Sequence, residues 1–174
     1  FYGGHVAVAM DTLKNVIANL ADLMDRQIAL LVDARFNHGL PANLTGATGQ
    51  RAAVSHGLKA LQIGASAWTA EALKQTMPAS VFSRSTECHN QDKVSMGTIS
   101  ARDALRVLEL TEQVAAAHLV TARQAVFLKQ RSGAKVPAKV AAFAEEIGIE
   151  PLIEDRVLEP ELRALMTRIP ALGR

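Results

Sequence analysis

The chain has 174 residues, enough for one domain or a substantial part of one, and 49% of them are apolar, enough for a real hydrophobic core. Nineteen basic and 17 acidic residues leave a net charge of +2, which offers no electrostatic case for binding nucleic acid. The single cysteine, Cys88, excludes an internal disulfide framework, and no run of about 18 apolar residues predicts a membrane span, so we expect a protein of the cytoplasm.

The first predicted element is a long helix over residues 5–34. Before it, Phe1-Tyr2-Gly3-Gly4 starts without an initiator Met or signal-peptide features, so we expect a piece of something longer. Apolar residues then recur at steps of mostly four and three in two seams. One seam is Val6, Met10, Leu13, Ile17, Leu20, Met24, Ile28 and Leu31, and the other is Ala9, Val16, Leu23 and Leu30. A helix with two apolar stripes must be covered on both sides, which predicts an oligomer or a missing partner.

Four further helices follow in the pattern. The second is predicted over 50–76, ending before Pro78, with a stripe formed by Val54, Leu58, Leu61, Ala65, Trp68 and Ala72. The third runs from an N-cap at Ser95 to about residue 131. Short helices over 138–147 and 160–168 complete the chain, and no segment has a strand pattern.

The expected class is therefore all-α, with long antiparallel helices of an oligomeric helical bundle and a small helical C-terminal cap. We predict a long-helix segment over 1–133, with a polar loop at 84–95, and a cap over 134–174.

The polar loop is the main candidate for chemistry. It concentrates hydrogen-bonding side chains between two apolar helices: Glu87, His89, Asn90, Gln91, Asp92 and Lys93. Side-chain amides offer both donors and acceptors, and they orient a carboxylate or an amine without burying a full charge. The loop is either a solvated connector or a binding loop, and from chemistry alone both interpretations stay open.

Other candidate residues have simpler interpretations. The five histidines are scattered, without the spacing of a metal site, and no nucleophile elbow occurs. His118 lies among alanines and leucines, as a core or interface histidine does. We interpret Trp68 as a packing residue and Cys88 as an unreactive free thiol, although His89 is its neighbour.

Several segments together resemble the aromatic amino-acid ammonia-lyases, which include the histidine, phenylalanine and tyrosine ammonia-lyases and the related 2,3-aminomutases. The resemblance covers nearly the whole chain and weakens past about residue 132. It rests on the segments 1–7, 26–33, 39–41, 78–81, 89–92 and 94–97, of which His89-Asn90-Gln91-Asp92 is the most informative.

The resemblance implies a prosthetic group called MIO, 4-methylideneimidazole-5-one, which forms from a consecutive Ala-Ser-Gly. That tripeptide does not occur here, since Gly64-Ala65-Ser66-Ala67 lacks the final glycine. The resemblance therefore implies that this chain is the C-terminal third of such an enzyme. MIO would come from an N-terminal part, and the partners would be that part and identical subunits of a homotetramer with shared active sites.

Three site residues carry over by resemblance. Phe1 matches a phenylalanine that packs against substrate or MIO, and Asn90 and Gln91 match a polar pair near MIO and the amino-acid group of the substrate. We expect Asn90 and Gln91 to take part in catalysis and all three to bind substrate. Histidine ammonia-lyases typically have a glutamate where this chain has Gln91, so the resemblance favours phenylalanine or tyrosine as substrate.

The implied reaction eliminates ammonia from an L-aromatic amino acid and leaves an α,β-unsaturated acid. The alternatives are an aromatic amino-acid 2,3-aminomutase, a histidine ammonia-lyase or, from another class, a non-catalytic helical oligomerisation module.

Overall fold

A computed structural model describes residues 2–173, and Phe1 and Arg174 lie outside the described residues. Its long α-helices are α1 (Gly4–Val32), α2 (Lys59–Lys74) and α3 (Gly97–Arg131), followed by the shorter α4 (Ala138–Glu146) and α5 (Glu159–Arg168). Brief 3₁₀ turns interrupt the connections at Ala42–Leu44, Gly49–Ala53, Ala79–Phe82, Glu87–His89 and Ile169–Ala171. Residues 2–173 contain no strand, which confirms the all-α class.

The chain forms two compact units. Unit 1 contains residues 2–23 and Ala67–Glu112, and unit 2 contains Met24–Ser66 and residues 113–173. Each unit combines two separate stretches of the sequence. The expected division into 1–133 and 134–174 stays a prediction.

Unit 1 is built around a small apolar core. Ala18, Ala72, Val107 and Leu110 are fully buried there, and Ile17 and Trp68 pack against them. This confirms Trp68 as a packing residue. Two alanines among the four buried core residues let the helix backbones approach closely, because their side chains occupy little space.

Unit 2 has larger buried side chains and one buried amide that ties its loops together. Its core includes Ile28, Leu44, Leu58, Val114, Leu128, Ile147 and Leu165. Gln124 Nε2 donates to the carbonyls of Leu44 (3.0 Å) and Leu152 (2.8 Å), while its Oε1 accepts from the Leu152 amide (2.8 Å). One α3 side chain thus holds two irregular segments of unit 2.

The predicted start of the second helix is wrong. We expected it near residue 50, but α2 begins at Lys59, and Val54, assigned to its apolar stripe, is 70% exposed. Gly57 has φ +55°, and a Cβ there would lie 2.5 Å from the Asn43 carbonyl oxygen, which accepts from the Leu58 amide (2.8 Å). This contact with a distant segment stops any helix from running through 54–58.

The predicted stripes of α1 are largely exposed within the described chain. Its buried face carries instead Ala7, Asp11, Lys14, Ala18, Ala21, Asp25, Ile28 and Val32, at alternating steps of four and three. The exposed side chains include Leu13 (41%) and Val16 (55%), with Val6, Leu20, Leu23 and Leu30 also exposed. No helix within residues 2–173 combines the length and apolarity that crossing a membrane requires.

Candidate functional site: an amide-bearing loop

The polar loop of unit 1 is closed at its base by one serine. Ser83 Oγ donates to the Val94 carbonyl (2.6 Å) and accepts from the Val94 amide (2.9 Å). The two ends of the loop are therefore joined side by side, as the strands of a hairpin would be, although no strand forms between them.

A second set of hydrogen bonds shapes the tip of the loop. The Thr86 amide donates to the Gln91 carbonyl (3.0 Å), and the Gln91 amide donates to Thr86 Oγ1 (2.9 Å). The Asn90 amide donates to the Glu87 carbonyl (2.9 Å), and Cys88 and His89 have positive φ angles of 48° and 56°. Since the backbone bonds internally, the side chains of Asn90 and Gln91 are left exposed.

The side chains of Asn90 and Gln91 have no hydrogen-bond partner within residues 2–173. Each presents an oxygen acceptor and an NH₂ donor on a backbone that is already fixed. Such a pair suits recognition of a ligand that has both donors and acceptors, such as an amino-acid group.

The outgoing end of the loop contacts the N-terminal residues. Lys93 Nζ lies 5.5 Å from the centre of the Tyr2 ring, within cation–π range, and Ser95 Oγ donates to the Gly3 carbonyl (3.2 Å). Ser95, the predicted N-cap, also accepts from the Gly97 amide at the start of α3 (3.1 Å). Phe1 lies outside the described residues, so its expected place beside the amides stays a prediction.

Cys88 and His89 lie in the same loop, but within residues 2–173 neither hydrogen-bonds to the side chain of Asn90 or Gln91. Cys88 is an exposed free thiol, and His89 Nδ1 lies 2.9 Å from Ser85 Oγ. His118 belongs to unit 2, where burial lowers the pKa of its imidazole and favours the neutral form. No group of three or more His, Cys, Asp or Glu side chains within the described residues is placed to hold a metal ion.

Sequence reasoning missed a buried charged cluster at the base of this loop. Asp11 on α1 accepts hydrogen bonds from the amides of Ala79 and Ser80 (both 3.0 Å) and from Ser100 Oγ (2.6 Å). Lys14 Nζ lies 3.0 Å from Asp11 Oδ1 and donates to the Met77 carbonyl (2.7 Å). The available signal was an Asp and a Lys three positions apart among alanines, a spacing that places both on one helix face.

The electrostatics of Asp11 follow from these contacts. Burial on its own raises the pKa of the carboxyl group, but the hydrogen bonds from Ser100, Ser80, Lys14 and Ala79 outweigh it and lower the pKa well below its ordinary value. Asp11 is therefore ionised at neutral pH and balances the charge of Lys14, which is 0% exposed.

Two cavities lie away from the tip of the loop. One of about 320 Å³ in unit 1 is lined by Lys74, Gln75, Met77, Ala79, Phe82, Ile99 and Asp103. Another of about 890 Å³ in unit 2 includes Leu31, Phe36, Leu40, Val126 and Lys129 in its lining. Neither cavity is lined by Asn90 or Gln91. In the described chain these two side chains are exposed on the surface.

The described chain is all-helical, and an exposed pair of amides lies on its hydrogen-bonded loop. A family model described as aromatic amino acid lyase matches residues 1–147. The chain belongs to the aromatic amino acid lyase family.

Similar proteins carry several names within that family. The chain is 38% identical to a tyrosine ammonia-lyase of Cereibacter sphaeroides, covering 97% of this chain and 32% of the relative. It is 36% identical to a histidine ammonia-lyase of Natranaerobius thermophilus, covering 95% and 32%. The crystal structure of a tyrosine aminomutase from Streptomyces globisporus superposes with a TM-score of 0.86 at 30% identity, covering 98% of this chain and 32% of that one. The chain thus spans about a third of the length of these relatives.

Proposed function

We propose that this chain is the C-terminal portion of an MIO-dependent aromatic amino-acid ammonia-lyase that acts on phenylalanine or tyrosine in preference to histidine. The observation that carries the proposal is the pair Asn90–Gln91: two exposed amides whose side chains have no hydrogen-bond partner within residues 2–173, on a loop whose backbone is hydrogen-bonded internally. The family membership and the tyrosine ammonia-lyase relative support it.

The preference for an uncharged ring rests on Gln91. A carboxylate at this position would stabilise a cationic imidazole, whereas a neutral amide gives no such advantage. The relatives include both tyrosine and histidine enzymes, so family membership does not distinguish between these substrates. The proposed preference therefore rests on Gln91.

The residues of the loop fit the MIO group that the family uses. Asn90 and Gln91 offer neutral N–H donors for the oxygen of a polarised ring, and as neutral groups they do not quench an electrophile as a thiolate or a lysine amine would. MIO, formed outside this chain from Ala-Ser-Gly, supplies the electrophile that makes the substrate amine a leaving group.

The side chains of this chain have binding and orienting roles in the elimination. In this proposal Asn90 and Gln91 hydrogen-bond the amino-acid group of the substrate, and Phe1 would pack against the substrate or the MIO ring. Overall, the carbon–nitrogen bond breaks, a base takes a β-proton, and the electron pair of that C–H bond forms the double bond of the unsaturated acid. Orientation by fixed amides accelerates this because the reacting groups are already aligned.

The proposal is tested with the full-length protein and L-phenylalanine, L-tyrosine and L-histidine as separate substrates. We expect cinnamate or coumarate to form faster than urocanate, followed by absorbance. Asn90→Ala and Gln91→Ala should each lower kcat/KM by about 100-fold, and Gln130→Ala, an exposed amide at the end of α3, should not. Absence of turnover with all three substrates, together with no β-amino acid in mass spectrometry, would refute an enzyme and favour the oligomerisation module.

An aminomutase is the second candidate, because an aminomutase structure is among the similar proteins. It would return the ammonia to the β-carbon of the same acid. Mass spectrometry of the products separates the two, since a β-amino acid forms only in that case.

The assembly we propose is a homotetramer in the cytoplasm, joined to the N-terminal part of the same enzyme. The exposed stripe of α1, which includes Leu13, Val16 and Leu20, supports it, because a stripe of this length on one helix is normally covered. Leu13→Glu with Leu20→Glu should lower the mass measured by light scattering. A monodisperse monomer of the unaltered full-length protein would contradict the tetramer.

A further inference from the structure

The buried pair Asp11–Lys14 contacts the segments on both sides of the amide-bearing loop. We call these segments its stems: residues 77–80 before the loop and residues 100–103 of α3 after it. On the incoming side, Asp11 accepts the amides of Ala79 and Ser80, and Lys14 donates to the Met77 carbonyl. On the outgoing side, the same Asp11 accepts Ser100 Oγ, and Lys14 Nζ lies 3.5 Å from Asp103. Two neighbouring side chains of α1 therefore join the segments that enter and leave the loop.

These contacts are strong for physical reasons. Asp11 is 5% exposed and Lys14 is 0% exposed, so water competes little for their hydrogen bonds. Hydrogen bonds to an ionised group in such surroundings are roughly twice as strong as those between neutral groups. The loop tip has weaker support, because it is exposed and its hydrogen bonds run between its own residues, such as Thr86 and Gln91.

We propose that Asp11 and Lys14 are positioning residues, which hold the two stems of the loop so that Asn90 and Gln91 keep one orientation. The inference rests on the proposed function for its catalytic consequence. Its structural part concerns the conformation of the loop alone. Both side chains are buried, and neither belongs to the loop that carries Asn90 and Gln91.

A purely structural role for the pair is the competing explanation. Under that explanation, weakening the pair would lower the stability of unit 1 as a whole and would leave the hydrogen bonds of the loop tip unchanged in the folded protein. Under ours, the loop tip loosens first, because it loses its fixed stems while the long helices stay folded.

The test removes one hydrogen bond from the cluster by Ser100→Ala and measures amide hydrogen exchange in the full-length protein. The amides of Thr86, Gln91 and Val94 report on the loop because each donates a loop hydrogen bond, and the amides of Val107 and Leu110, in the core of unit 1 on α3, serve as an internal reference. We expect exchange of the three loop amides to become about tenfold faster while that of the two core amides stays unchanged. Ser100→Thr keeps the hydroxyl and should restore slow exchange.

Lys14→Met provides a second, stronger variant, and Arg106→Met is its matched control. Arg106 forms exposed ion pairs in the same unit, with Glu71 on α2 (2.8 Å) and with Glu109 (3.3 Å), the second with the same three-residue spacing. Lys14→Met should accelerate loop exchange by more than tenfold, and Arg106→Met should not. Loop exchange within twofold of the unaltered protein in both Ser100→Ala and Lys14→Met would overturn the inference, whatever happens to overall stability.

Kinetics separate this inference from the proposed function. At a temperature well below unfolding, Ser100→Ala should lower kcat about tenfold in a folded enzyme, and Ser100→Thr should recover it. An unchanged kcat beside faster loop exchange would refute the catalytic part of the inference. An unaltered enzyme without turnover would refute the proposed function instead, and the exchange data would still decide whether the pair holds the loop.

Discussion

Two aspartates, one in each unit, accept hydrogen bonds from the same kinds of donor group but differ in burial. Asp11 in unit 1 receives the consecutive amides of Ala79 and Ser80 and the hydroxyl of Ser100. Asp155 in unit 2 receives the consecutive amides of His56 and Gly57 (2.7 and 2.9 Å) and the hydroxyl of Ser55 (2.8 Å). The local geometry is alike: one carboxylate caps two backbone N–H groups and one serine.

The surroundings decide how much each carboxylate contributes. Asp11 is buried and has a buried cation, Lys14, as its partner, whereas the Asp155 side chain is 40% exposed and its neighbour is an exposed histidine, His56, with Nδ1 3.6 Å away. Water screens the second set of contacts and competes for its hydrogen bonds. Similar hydrogen-bond lists therefore support different roles: the first fixes the stems of the loop, and the second joins a surface turn to the C-terminal segment.

The largest expected effect is that of Asp11→Asn. It removes the charge that balances Lys14, and within residues 2–173 it leaves the buried ammonium with Asp103, at 3.5 Å, as its one paired carboxylate. Breaking a buried pair on one side costs about 3–5 kcal/mol, so denaturant unfolding should show a loss of that size. Asp92→Asn, on the exposed loop, is the control and should change stability by less than about 0.5 kcal/mol. A loss below about 1 kcal/mol for Asp11→Asn would make the two aspartates equivalent.

The next largest effect concerns how unit 2 holds its own turn without a buried charge. A Cβ at Gly46 would lie 2.0 Å from the Leu152 carbonyl oxygen, so two backbones meet there directly. Gly46→Ala should cost about 3 kcal/mol, because neither backbone moves easily.

Gly39→Ala is the comparison for that variant, since Gly39 has φ +85° but no heavy atom within 4 Å of an added Cβ. It should cost about 1 kcal/mol through backbone strain alone. Equal losses for the two variants in thermal unfolding would show that the contact with Leu152 is unimportant.

The sequence was informative where the determining interactions are local. Helical periodicity located α1 and α3 within a few residues, and polarity located the loop with Asn90 and Gln91. These features depend on neighbours three or four positions apart, or on a short run of side chains, which a single sequence displays directly.

Features that depend on distant partners were not predictable in the same way. The start of α2 depends on the contact of Gly57 with Asn43. The buried face of α1 includes alanines and charged residues with partners 41 to 89 residues away. Asp11 and Lys14 resemble surface residues until Met77, Ala79 and Ser100 are brought to them. Apolar stripes such as Leu13 and Leu20 were easy to find, but only the structure shows that this chain leaves them exposed.

A smaller effect is expected for Asp155→Ala. The variant removes three hydrogen bonds between the turn at 55–57 and the C-terminal segment, but the carboxylate is well exposed and the donors can bond to water instead. We therefore expect a loss of about 1 kcal/mol or less at pH 7. Glu154→Ala, which removes only the exposed ion pair with Arg51, is the control and should change less. A loss as large as that of Asp11→Asn would show that exposure does not separate the two sites.

The smallest effect, and the sharpest separation of the two sites, is the pH dependence of these losses. The amide of His56, the hydroxyl of Ser55 and the amide of Gly57 lower the pKa of Asp155, and hydrogen bonds likewise lower the pKa of Asp11 against the opposing effect of burial. A carboxylate whose pKa is lower in the folded state adds stability above its unfolded pKa, about 3.9, and this is lost as the pH falls through its folded pKa. The loss for Asp11→Asn should therefore not change between pH 7 and pH 5. Below about pH 4, the difference between unaltered protein and Asp155→Ala should shrink. The difference for Asp11→Asn should persist to lower pH, because the hydrogen bonds of the buried cluster favour the ionised form of Asp11 more strongly.

Urea unfolding at a series of pH values checks this prediction. A decline of both differences over the same acid range would mean that burial beside Lys14 gives Asp11 no advantage over an exposed carboxylate.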